Sequence, residues 1–504
     1  MSICLRIPLK QQPWLALACR LGVRCGTLCF HAPATAPMTH PHLPVAGNSP
    51  ASRDQSYVFH PYTNLQLHEQ QGPLVIERGR GVFVYDETGK EYLEGMSGLW
   101  CASLGWSEER LIEAAMRQLR RLPFYHLFNH KSHDPAIDLA ERLIRMAPAP
   151  MSKVLFANSG SEANDTAIKL IWYYNNALGR PHKKLIISRR KAYHGVTVAA
   201  ASLTGLPNNH RDFDLPIDRF IHTDCPHHYR FATSGESEEA FAARLADNLE
   251  RLILDHGPDR VAAMFVEPVM GAGGVIVPPA TYFEKVQAVL RKYDVLLVAD
   301  EVICGFGRTG SPWGCDTFGI RPDILTCAKG LSAAYQPISA TLVSEPIYQA
   351  CVRESEKIGV FGHGFTYCAH PVSAAVALEA LAIYEERDIF GHARRVAPYF
   401  QKTIRRLAGH PLVGEIRGVG LLAGIELVAN RVNRTPFDPG LGFGTRVQRL
   451  AEQHGLIIRT MGDTIAVCPP LIVNIDEIDE LLRRLTRTLN DATALARDLG
   501  WHNP

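Results

Sequence analysis

Short runs of apolar residues alternate with amphipathic stretches from about residue 120 to residue 375. Each run is nearly continuous in hydrophobicity, which is typical of strands that helices bury on both faces. Strands that alternate with helices predict an α/β fold built on a mostly parallel sheet. The predicted strands are Val154–Phe156, Leu185–Ser188, Ala262–Val266, Val295–Ala299, Ile324–Thr326 and Ala340–Val343.

The pattern differs on either side of this region. Residues 74–94 alternate apolar and polar positions around glycine turns, which predicts a small antiparallel meander. From about residue 376 the spacing favours a smaller α+β unit, with one strand near 415–428, a strand pair near 456–473 and a final helix. That helix begins after Asn474, with Glu477 three residues on, as in a capping box. Its predicted apolar stripe consists of Ile475, Ile478, Leu482, Leu485 and Leu489.

These changes predict four segments. Residues 1–55 form an extension, 56–119 an N-terminal segment of the smaller domain, 120–375 the large domain, and 376–504 the C-terminal part of the smaller domain. Residues 31–55 are rich in Pro, Ala, His and Ser, a composition that favours disorder.

Composition narrows the class of protein. The 504 residues are 46% hydrophobic and 21% charged, and 53 basic residues nearly balance 51 acidic ones. This balance gives no indication of a nucleic-acid or acidic partner. The 12 cysteines form no CxxC pair, which favours reduced thiols and a reducing compartment. No apolar run of about 18 residues occurs, so no transmembrane helix is predicted.

The first 53 residues contain no Asp or Glu but carry several arginines. Such a start resembles a mitochondrial transit peptide. The alternative is a dispensable extension, with Met38 as the true first residue. The prediction is a cytoplasmic protein, with the mitochondrial matrix as the alternative if residues 1–37 are a targeting segment.

Three candidate chemical groups follow predicted strands of the same sheet. Ser159–Ser161 make a tight turn before a helix, whose N-terminus suits a phosphate, although plain capping is the more common reason for Ser and Gly at a helix start. Asp300 ends a buried strand, where α/β sheets bind ligands. Lys329 comes just after another apolar strand, where an ammonium is costly to bury but a lysine that forms an imine is not. Together they supply what pyridoxal phosphate needs: a phosphate anchor, a partner for the ring nitrogen and an imine.

At this point the chain resembles the class III aminotransferases. The matching motifs, in order, are NSGSEAND (158–165), AYHG (192–195), VEPVMGAGG (266–274), ADEVICGFGRTG (299–310), AKG (328–330) and HGFTY (363–367). The likeness extends from about residue 57 to residue 495 and is greatest to ω-amino-acid:pyruvate and GABA:pyruvate aminotransferases. It implies pyridoxal-phosphate fold type I, the aspartate-aminotransferase type, in which a large domain with a mostly parallel seven-stranded sheet adjoins a smaller α+β domain.

The resemblance also implies roles for single residues. Lys329, Asp300 and Tyr193 would be catalytic: Lys329 binds the cofactor and moves a proton, Asp300 pairs with the ring nitrogen and Tyr193 stacks on the ring. Thr366 would reach the phosphate of a neighbouring subunit, which implies a homodimer with shared sites, and a tetramer as an alternative. Trp100 would form a wall of the amine pocket. The implied cofactor-binding residues are Ser159, Gly160, Ser161, Tyr193, His194, Glu267, Asp300, Val302, Lys329 and Thr366.

Two positions bear on the substrates. Arg459 matches the movable arginine of the family, whose guanidinium can pair with a carboxylate in a bidentate manner. In members that use 2-oxoglutarate, a glutamate gates this arginine, whereas the chain has Ala272 there. The departure favours transfer of a terminal amino group from GABA, β-alanine, a putrescine-like amine or an aryl amine to pyruvate.

Alternatives remain open at this stage. They are a 2-oxoglutarate-dependent 4-aminobutyrate aminotransferase, a decarboxylase or racemase of the same fold, and a non-catalytic binding module. Four conspicuous residues are assigned no chemistry: Cys304 and Cys327 are predicted to be buried thiols, Arg308 to be structural, and His228 lacks a second cluster of ligands for a metal.

Overall fold

The computed structural model describes residues 47–501, and these fall into two compact units that divide between Val75 and Ile76. In the first unit, helices Pro50–Tyr57 and Leu65–Gln71 begin at side-chain caps from Ser49 and Asn64. The first of these helices starts before the predicted boundary at residue 56. The predicted targeting or disordered segment up to residue 46 lies outside the described residues.

The second unit begins with the meander predicted from alternation. Strands Ile76–Arg80, Phe83–Asp86 and Glu91–Glu94 pair in antiparallel order, and Leu456–Ile457 adds a parallel fourth strand. Asp86 fastens one of the turns, because its Oδ1 accepts hydrogen bonds from the backbone N–H groups of Thr88 (2.9 Å) and Lys90 (3.0 Å). The last strand of the meander leads directly into the turn that carries Trp100.

A seven-stranded sheet forms the centre of this unit. Six of its strands were predicted from their hydrophobicity, while Phe220–Thr223, short and half polar, was missed. Only Ser339–Val343 runs antiparallel to its neighbours, so the prediction of a mostly parallel sheet is confirmed. In spatial order the strands are Lys153–Ala157, Ser339–Val343, Ile324–Cys327, Leu296–Asp300, Val261–Val266, Leu185–Arg189 and Phe220–Thr223.

Helices bury both faces of the sheet, as the continuous hydrophobicity of its strands requires. Successive residues of one strand, such as Leu297 and Val298, belong to two different apolar clusters. The main helices of the unit are Glu109–Arg121, Asp134–Met146, Gly160–Ala177, Glu238–His256, Tyr282–Lys292, Glu345–Ile358, Pro371–Glu386, Ile389–Arg405, Phe443–Gln453 and Ile475–Asp498. Shorter ones are Ser97–Trp100, Val198–Leu203, His228–Phe231 and Gly314–Phe318.

The C-terminal part contains a third, four-stranded sheet. The single strand expected near 415–428 was wrong: Val413–Val419 and Leu422–Leu427 form a hairpin that turns at Gly420, where φ is 57°. A side chain is excluded there because its Cβ would lie 2.4 Å from the Arg308 carbonyl oxygen. The predicted strand pair consists of Arg459–Met461 and Thr464–Val467.

The final helix begins at the predicted capping box of Asn474 and Glu477. Its stripe is buried at four of the five predicted positions, while Ile475 in the first turn is 49% exposed. Among residues 47–501, no helix has both the length and the hydrophobicity needed to cross a membrane. The boundaries proposed at 119/120 and 375/376 stay predictions.

Candidate active site

A cavity opens at the carboxyl ends of the central strands. Asp300 ends one strand, and Lys329 lies two residues beyond Cys327, the last residue of its neighbour. The cavity is lined by Gly160, Ser161, Asn164, Tyr193, His194, Gly195, Glu267, Asp300, Val302, Ile303, Ala328 and Lys329. The structure therefore brings together all the predicted cofactor-binding residues except Ser159 and Thr366.

Asp300 is held from two sides. Its Oδ2 accepts hydrogen bonds from Asn164 Nδ2 and His194 Nδ1, both at 2.8 Å, and its Oδ1 accepts one from the Val302 N–H at 3.1 Å. Asn164 is itself fixed, because its Nδ2 also donates to the His194 carbonyl at 2.7 Å and its Oδ1 accepts from Thr326 Oγ1 at 2.9 Å. These contacts fix the orientation of a buried carboxylate at the base of the cavity.

Asn164 was missed in the sequence. It belongs to the same NSGSEAND motif as the phosphate turn and stands four residues after Gly160, one helical turn further along. That spacing was the available signal, since a residue one turn into such a helix shares the face of its first residue. The amide of Asn164 does not by itself predict a site, because polar residues are common on helices.

Lys329 is buried in this cavity in a left-handed backbone conformation, with φ of 48°. Such a conformation in a residue with a long side chain costs about 1–3 kcal/mol and commonly marks a functional position. Burial lowers the pKa of the Lys329 ammonium, while the nearby Cys101 and Asp300 oppose this effect. The neutral amine, the form that attacks a carbonyl, is therefore reached at a lower pH than in an exposed lysine.

The helix Gly160–Ala177 points its N-terminus at the same cavity. Ser159 is the cap of this helix, as its Oγ accepts the Glu162 N–H at 3.2 Å, so the capping explanation holds for this hydroxyl. Gly160 and Gly195 allow close approach: added Cβ atoms would lie 3.0 Å from Val302 Cγ1 and 2.5 Å from Ser161 Oγ. Free N–H groups at a helix start, a fixed carboxylate and a buried lysine together fit pyridoxal phosphate.

Glu267 supports the wall of the cavity rather than its base. Its Oε1 accepts the Tyr193 N–H and its Oε2 the Gly271 N–H, both at 3.0 Å. Burial raises the pKa of Glu267, and the charges of His194 and Arg189 oppose that rise. Glu267 thus contacts neighbouring backbone groups, while Asp300 is held by Asn164 and His194.

The two predicted substrate residues, Trp100 and Arg459, contact each other without lining the cavity, and this pair is called the rim. The guanidinium carbon of Arg459 lies 5.1 Å from the centroid of the Trp100 ring, within the range of a cation–π interaction. The positive charge of Arg459 also contributes to lowering the pKa of Lys329, so the pair lies near the lysine. Trp100 is 4% exposed and its Nε1 has no hydrogen-bond partner within the described part of the chain.

The four residues that were assigned no chemistry make contacts that are typical of structural residues. They are Cys304, Cys327, Arg308 and His228. Burial raises the pKa of both the Cys304 and Cys327 thiols, and Arg308 is buried and donates to Pro469 and Ser97. His228 donates to the Glu236 carbonyl.

Its neighbour His227 meets two carboxylates, Glu415 and Glu426. These same carboxylates pair with Arg417, and Glu426 also pairs with Arg230. The arginines balance the two negative charges, so little charge is left to attract a cation.

Comparison with known proteins gives a consistent result. The family model described as Aminotransferase class-III matches residues 66–489. The chain is 52% identical to the chloroplastic gamma aminobutyrate transaminase 3 of Solanum lycopersicum, over 85% of this chain and 82% of that protein. It is 51% identical to the vanillin aminotransferase of Capsicum frutescens, over 85% of this chain and 93% of the other.

Solved structures agree. The omega transaminase from Pseudomonas jessenii in complex with PMP superimposes with a TM-score of 0.87 at 56% identity, covering 89% of this chain and 99% of that one. A thermostable omega transaminase variant engineered for asymmetric synthesis of enantiopure bulky amines gives a TM-score of 0.88 at 57% identity, covering 89% and 100%.

Proposed function

The chain belongs to the class III aminotransferases, which are pyridoxal-phosphate-dependent enzymes, and we propose that it transfers the terminal amino group of an ω-amino acid or amine to pyruvate. The products are an aldehyde and L-alanine. The donors we expect are GABA, β-alanine, a putrescine-like amine or an aryl amine.

The contact between Arg459 and Trp100 carries this proposal. A transaminase must bind a carboxylate in one half-reaction and, with simple amines, none in the other. A cation–π contact stabilises by about 0.5–2 kcal/mol, whereas pairing of a buried charge with a carboxylate is stronger. Arg459 can therefore rest on Trp100 while an amine occupies the pocket and leave it to bind the carboxylate of pyruvate.

Ala272 is the second support. The methyl side chain brings no carboxylate that could pair with Arg459, unlike the glutamate of members that use 2-oxoglutarate. The glutamate gate of those members would then be missing at this position. The competing hypothesis is a 2-oxoglutarate-dependent 4-aminobutyrate aminotransferase. It requires that another group replace the glutamate that pairs with the arginine in those members.

The residues of the cavity have distinct tasks in this reaction. When bound, pyridoxal phosphate supplies an electron sink for the substrate carbon that loses its proton. Lys329 Nζ, in its neutral form, would accept this proton from the substrate carbon. It would then donate the proton to the bound cofactor. Asp300 would hold the ring nitrogen in its protonated form, and Tyr193 and Val302 would enclose the ring faces. The helix N-terminus at Gly160 and Ser161 would receive the phosphate.

A homodimer is part of the proposal. Phe124, Tyr125, Phe128 and Tyr367 are each between 38% and 60% exposed, and Thr366 lies beside Tyr367 in the exposed HGFTY segment. Large exposed aromatic side chains grouped together are typical of a surface that a partner covers.

Light scattering across a range of concentrations would separate a dimer from a tetramer, and a monomer that binds the cofactor fully would contradict shared sites.

The decisive experiment is a panel of initial rates. GABA, β-alanine, putrescine and benzylamine are each assayed with pyruvate and with 2-oxoglutarate, and alanine and glutamate are quantified. We expect alanine from at least one amine and much slower formation of glutamate. Glutamate as the main product would favour the competing hypothesis, and formation of CO₂ without either amino acid would indicate a decarboxylase.

For the location we propose the cytoplasm, with the mitochondrial matrix as the alternative. The tomato relative is described as chloroplastic, and a probable gamma-aminobutyrate transaminase 3 of Oryza sativa, 54% identical over 82% of this chain, is described as mitochondrial, which makes the alternative worth testing. A fluorescent protein fused behind residues 1–46 would remain diffuse in eukaryotic cells if the segment carries no address, and would enter mitochondria if it does.

A further inference from the structure

The turn that carries Trp100 has an unusual backbone. Ser97, Gly98 and Trp100 all have positive φ, at 49°, 67° and 59°. For Ser97 and Trp100 this left-handed conformation costs on the order of 1–3 kcal/mol each. Surrounding groups must therefore impose the turn, because the local sequence does not favour it.

A buried carboxylate lies inside this turn. Glu94, the last residue of the meander, is 2% exposed. Its Oε1 accepts the Met96 N–H at 3.0 Å, and its Oε2 accepts the Gly98 N–H. Burying a carboxylate is costly, and burial raises the pKa of Glu94 to about 7 while the two backbone hydrogen bonds oppose the rise. Because its burial is so unfavourable, the Glu94 carboxyl group indicates a role that an apolar side chain could not fill.

A second set of contacts ties the turn to the strand beside Arg459. Ser97 Oγ donates to the Cys468 carbonyl at 2.6 Å and lies 3.2 Å from Arg308 Nη2. Cys468 directly follows the strand Thr464–Val467, in which Ala466 pairs with Arg459. Trp100 and Arg459 therefore belong to backbone segments that are connected through Cys468 and the strand Thr464–Val467.

We propose that Glu94 is a positioning residue for substrate selection: by holding the Ser97–Trp100 turn, it sets the angle of the Trp100 ring against Arg459. Through this contact Glu94 would influence both the room left for the amine and the readiness of Arg459 to bind the keto acid. The inference rests on the proposed function for the identity of the pocket, but not for the acceptor.

The test compares Glu94→Gln with Asp86→Asn. Glutamine keeps the size of Glu94 but replaces one of the two acceptor oxygens by an amide that cannot accept a backbone N–H. Asp86 is a matched control, because its carboxylate also fastens a turn next to a meander strand through two backbone N–H groups, but that turn is the one at Thr88 and Lys90 and not the one that carries Trp100. Each enzyme is loaded with pyridoxal phosphate and assayed with butylamine and with α-ethylbenzylamine, using whichever keto acid the wild-type enzyme prefers.

We expect the ratio of kcat/KM for the two amines to change by up to about tenfold in Glu94→Gln, on the order of the effect of losing one hydrogen bond. The KM of the keto acid should rise, while kcat with butylamine and the visible spectrum of the bound cofactor stay near wild type. In Asp86→Asn the ratio should not move. An unchanged ratio in Glu94→Gln overturns the proposal, and so does a parallel loss for both amines together with loss of cofactor.

A second variant covers the case in which Glu94→Gln does not fold. Ser97→Ala removes the hydroxyl that ties the same turn to Cys468 but leaves the carboxylate in place. It should shift the ratio in the same direction by a smaller factor, and an unshifted ratio counts against the proposal. If wild-type enzyme forms no amino acid from any amine, the proposed function fails; if it does and the ratios are equal, only the role of Glu94 fails.

Discussion

The base and the rim of the cavity are built in different ways. At the base, Asp300, Asn164 and His194 are at most 4% exposed and each makes hydrogen bonds to the others. At the rim, Trp100 sits on a strained turn and meets Arg459 through a ring–guanidinium contact. Hydrogen bonds to a buried charge are stronger than a cation–π contact, so the base is the more rigid of the two.

This difference separates two properties of the enzyme. Changes at the base should weaken cofactor binding or proton transfer for every substrate alike. Changes at the rim should mainly alter the order in which substrates are preferred, because Trp100 and Arg459 do not line the cofactor cavity. The variants below either break this separation or make it quantitative.

The largest effect should follow from Lys329→Ala. Removing the amine that moves the proton should lower amine turnover at least about a thousandfold for all donors, within the range of general acid–base catalysis. The measurement is alanine formation in single- and multiple-turnover assays, with the visible absorption of the bound cofactor recorded in parallel. Lys183→Ala is the control, since Lys183 is also buried but its Nζ bonds to the Tyr293 carbonyl, outside the cavity. Turnover retained in Lys329→Ala would remove the lysine from the mechanism.

Arg459→Gln should have the next largest effect, and a selective one. Losing a charged partner for a carboxylate corresponds to about 2–3 kcal/mol, or roughly a hundredfold rise in the KM of pyruvate. The half-reaction with butylamine, which has no carboxylate, should change only slightly. Stopped-flow measurement of the two half-reactions distinguishes these effects, with the exposed Arg446→Gln as the control. An equal loss in both half-reactions would show that the rim also serves the chemistry.

Asn164→Ala tests the base. Asp300 Oδ2 would lose one of its two side-chain hydrogen bonds, and the Thr326 hydroxyl would lose its acceptor. A hydrogen bond to a charged group contributes about 1.5–3 kcal/mol, so the Kd of pyridoxal phosphate should rise at least about tenfold. Equilibrium dialysis measures the affinity, and the ratio of kcat/KM for two amines should stay constant. A changed ratio with unchanged affinity would contradict the separation of base and rim.

The pH dependence of covalent cofactor binding tests the environment of Lys329 in the cavity. Burial lowers the pKa of Lys329 from its ordinary value of 10.5, so the neutral, reactive amine predominates at a lower pH than for an exposed lysine. The rate at which the cofactor-free enzyme binds pyridoxal phosphate covalently should rise with pH and level off clearly below pH 10.5. Below that plateau it should fall about tenfold per pH unit. A rate that still rises above pH 10.5 would mean that the lysine is not desolvated.

The base was largely predictable from the sequence. Asp300 and Lys329 follow apolar strands, and parallel strands bring their carboxyl ends to one edge, so pattern and geometry suffice to place them together. Asn164 escaped notice because its role depends on which side chains it meets, not on its own type. The strand Phe220–Thr223 was missed because it is short and half polar, although Phe220 and Ile221 both pack in the core.

The rim was predictable only through resemblance. Trp100 and Arg459 were identified by motif, but neither their contact nor the left-handed turn follows from residue propensities, which disfavour positive φ at tryptophan. The hairpin around Gly420 shows the same limit, since the turn there is forced by the close approach of Arg308 and Thr309. Where distant segments impose the backbone, local patterns lose their predictive value.

The smallest expected effect compares two tryptophans. Trp100→Phe keeps an aromatic surface but weakens the cation–π contact by about 0.5 kcal/mol, so the KM of pyruvate should rise only about twofold. Because Trp100 Nε1 has no partner among the described residues, its loss should cost little stability beyond the vacated volume. Trp313→Phe is the counterpart, since Trp313 Nε1 donates to the Met146 carbonyl at 2.6 Å and the ring is completely buried.

Trp313→Phe should therefore lower Tm more than Trp100→Phe while it leaves the preference between butylamine and α-ethylbenzylamine unchanged. Trp100→Phe should shift that preference toward the larger amine with little change in Tm. Thermal unfolding and the two amine assays test both statements on the same samples. If both variants moved Tm and preference together, substrate choice would be a consequence of general packing, and the rim would have no independent role.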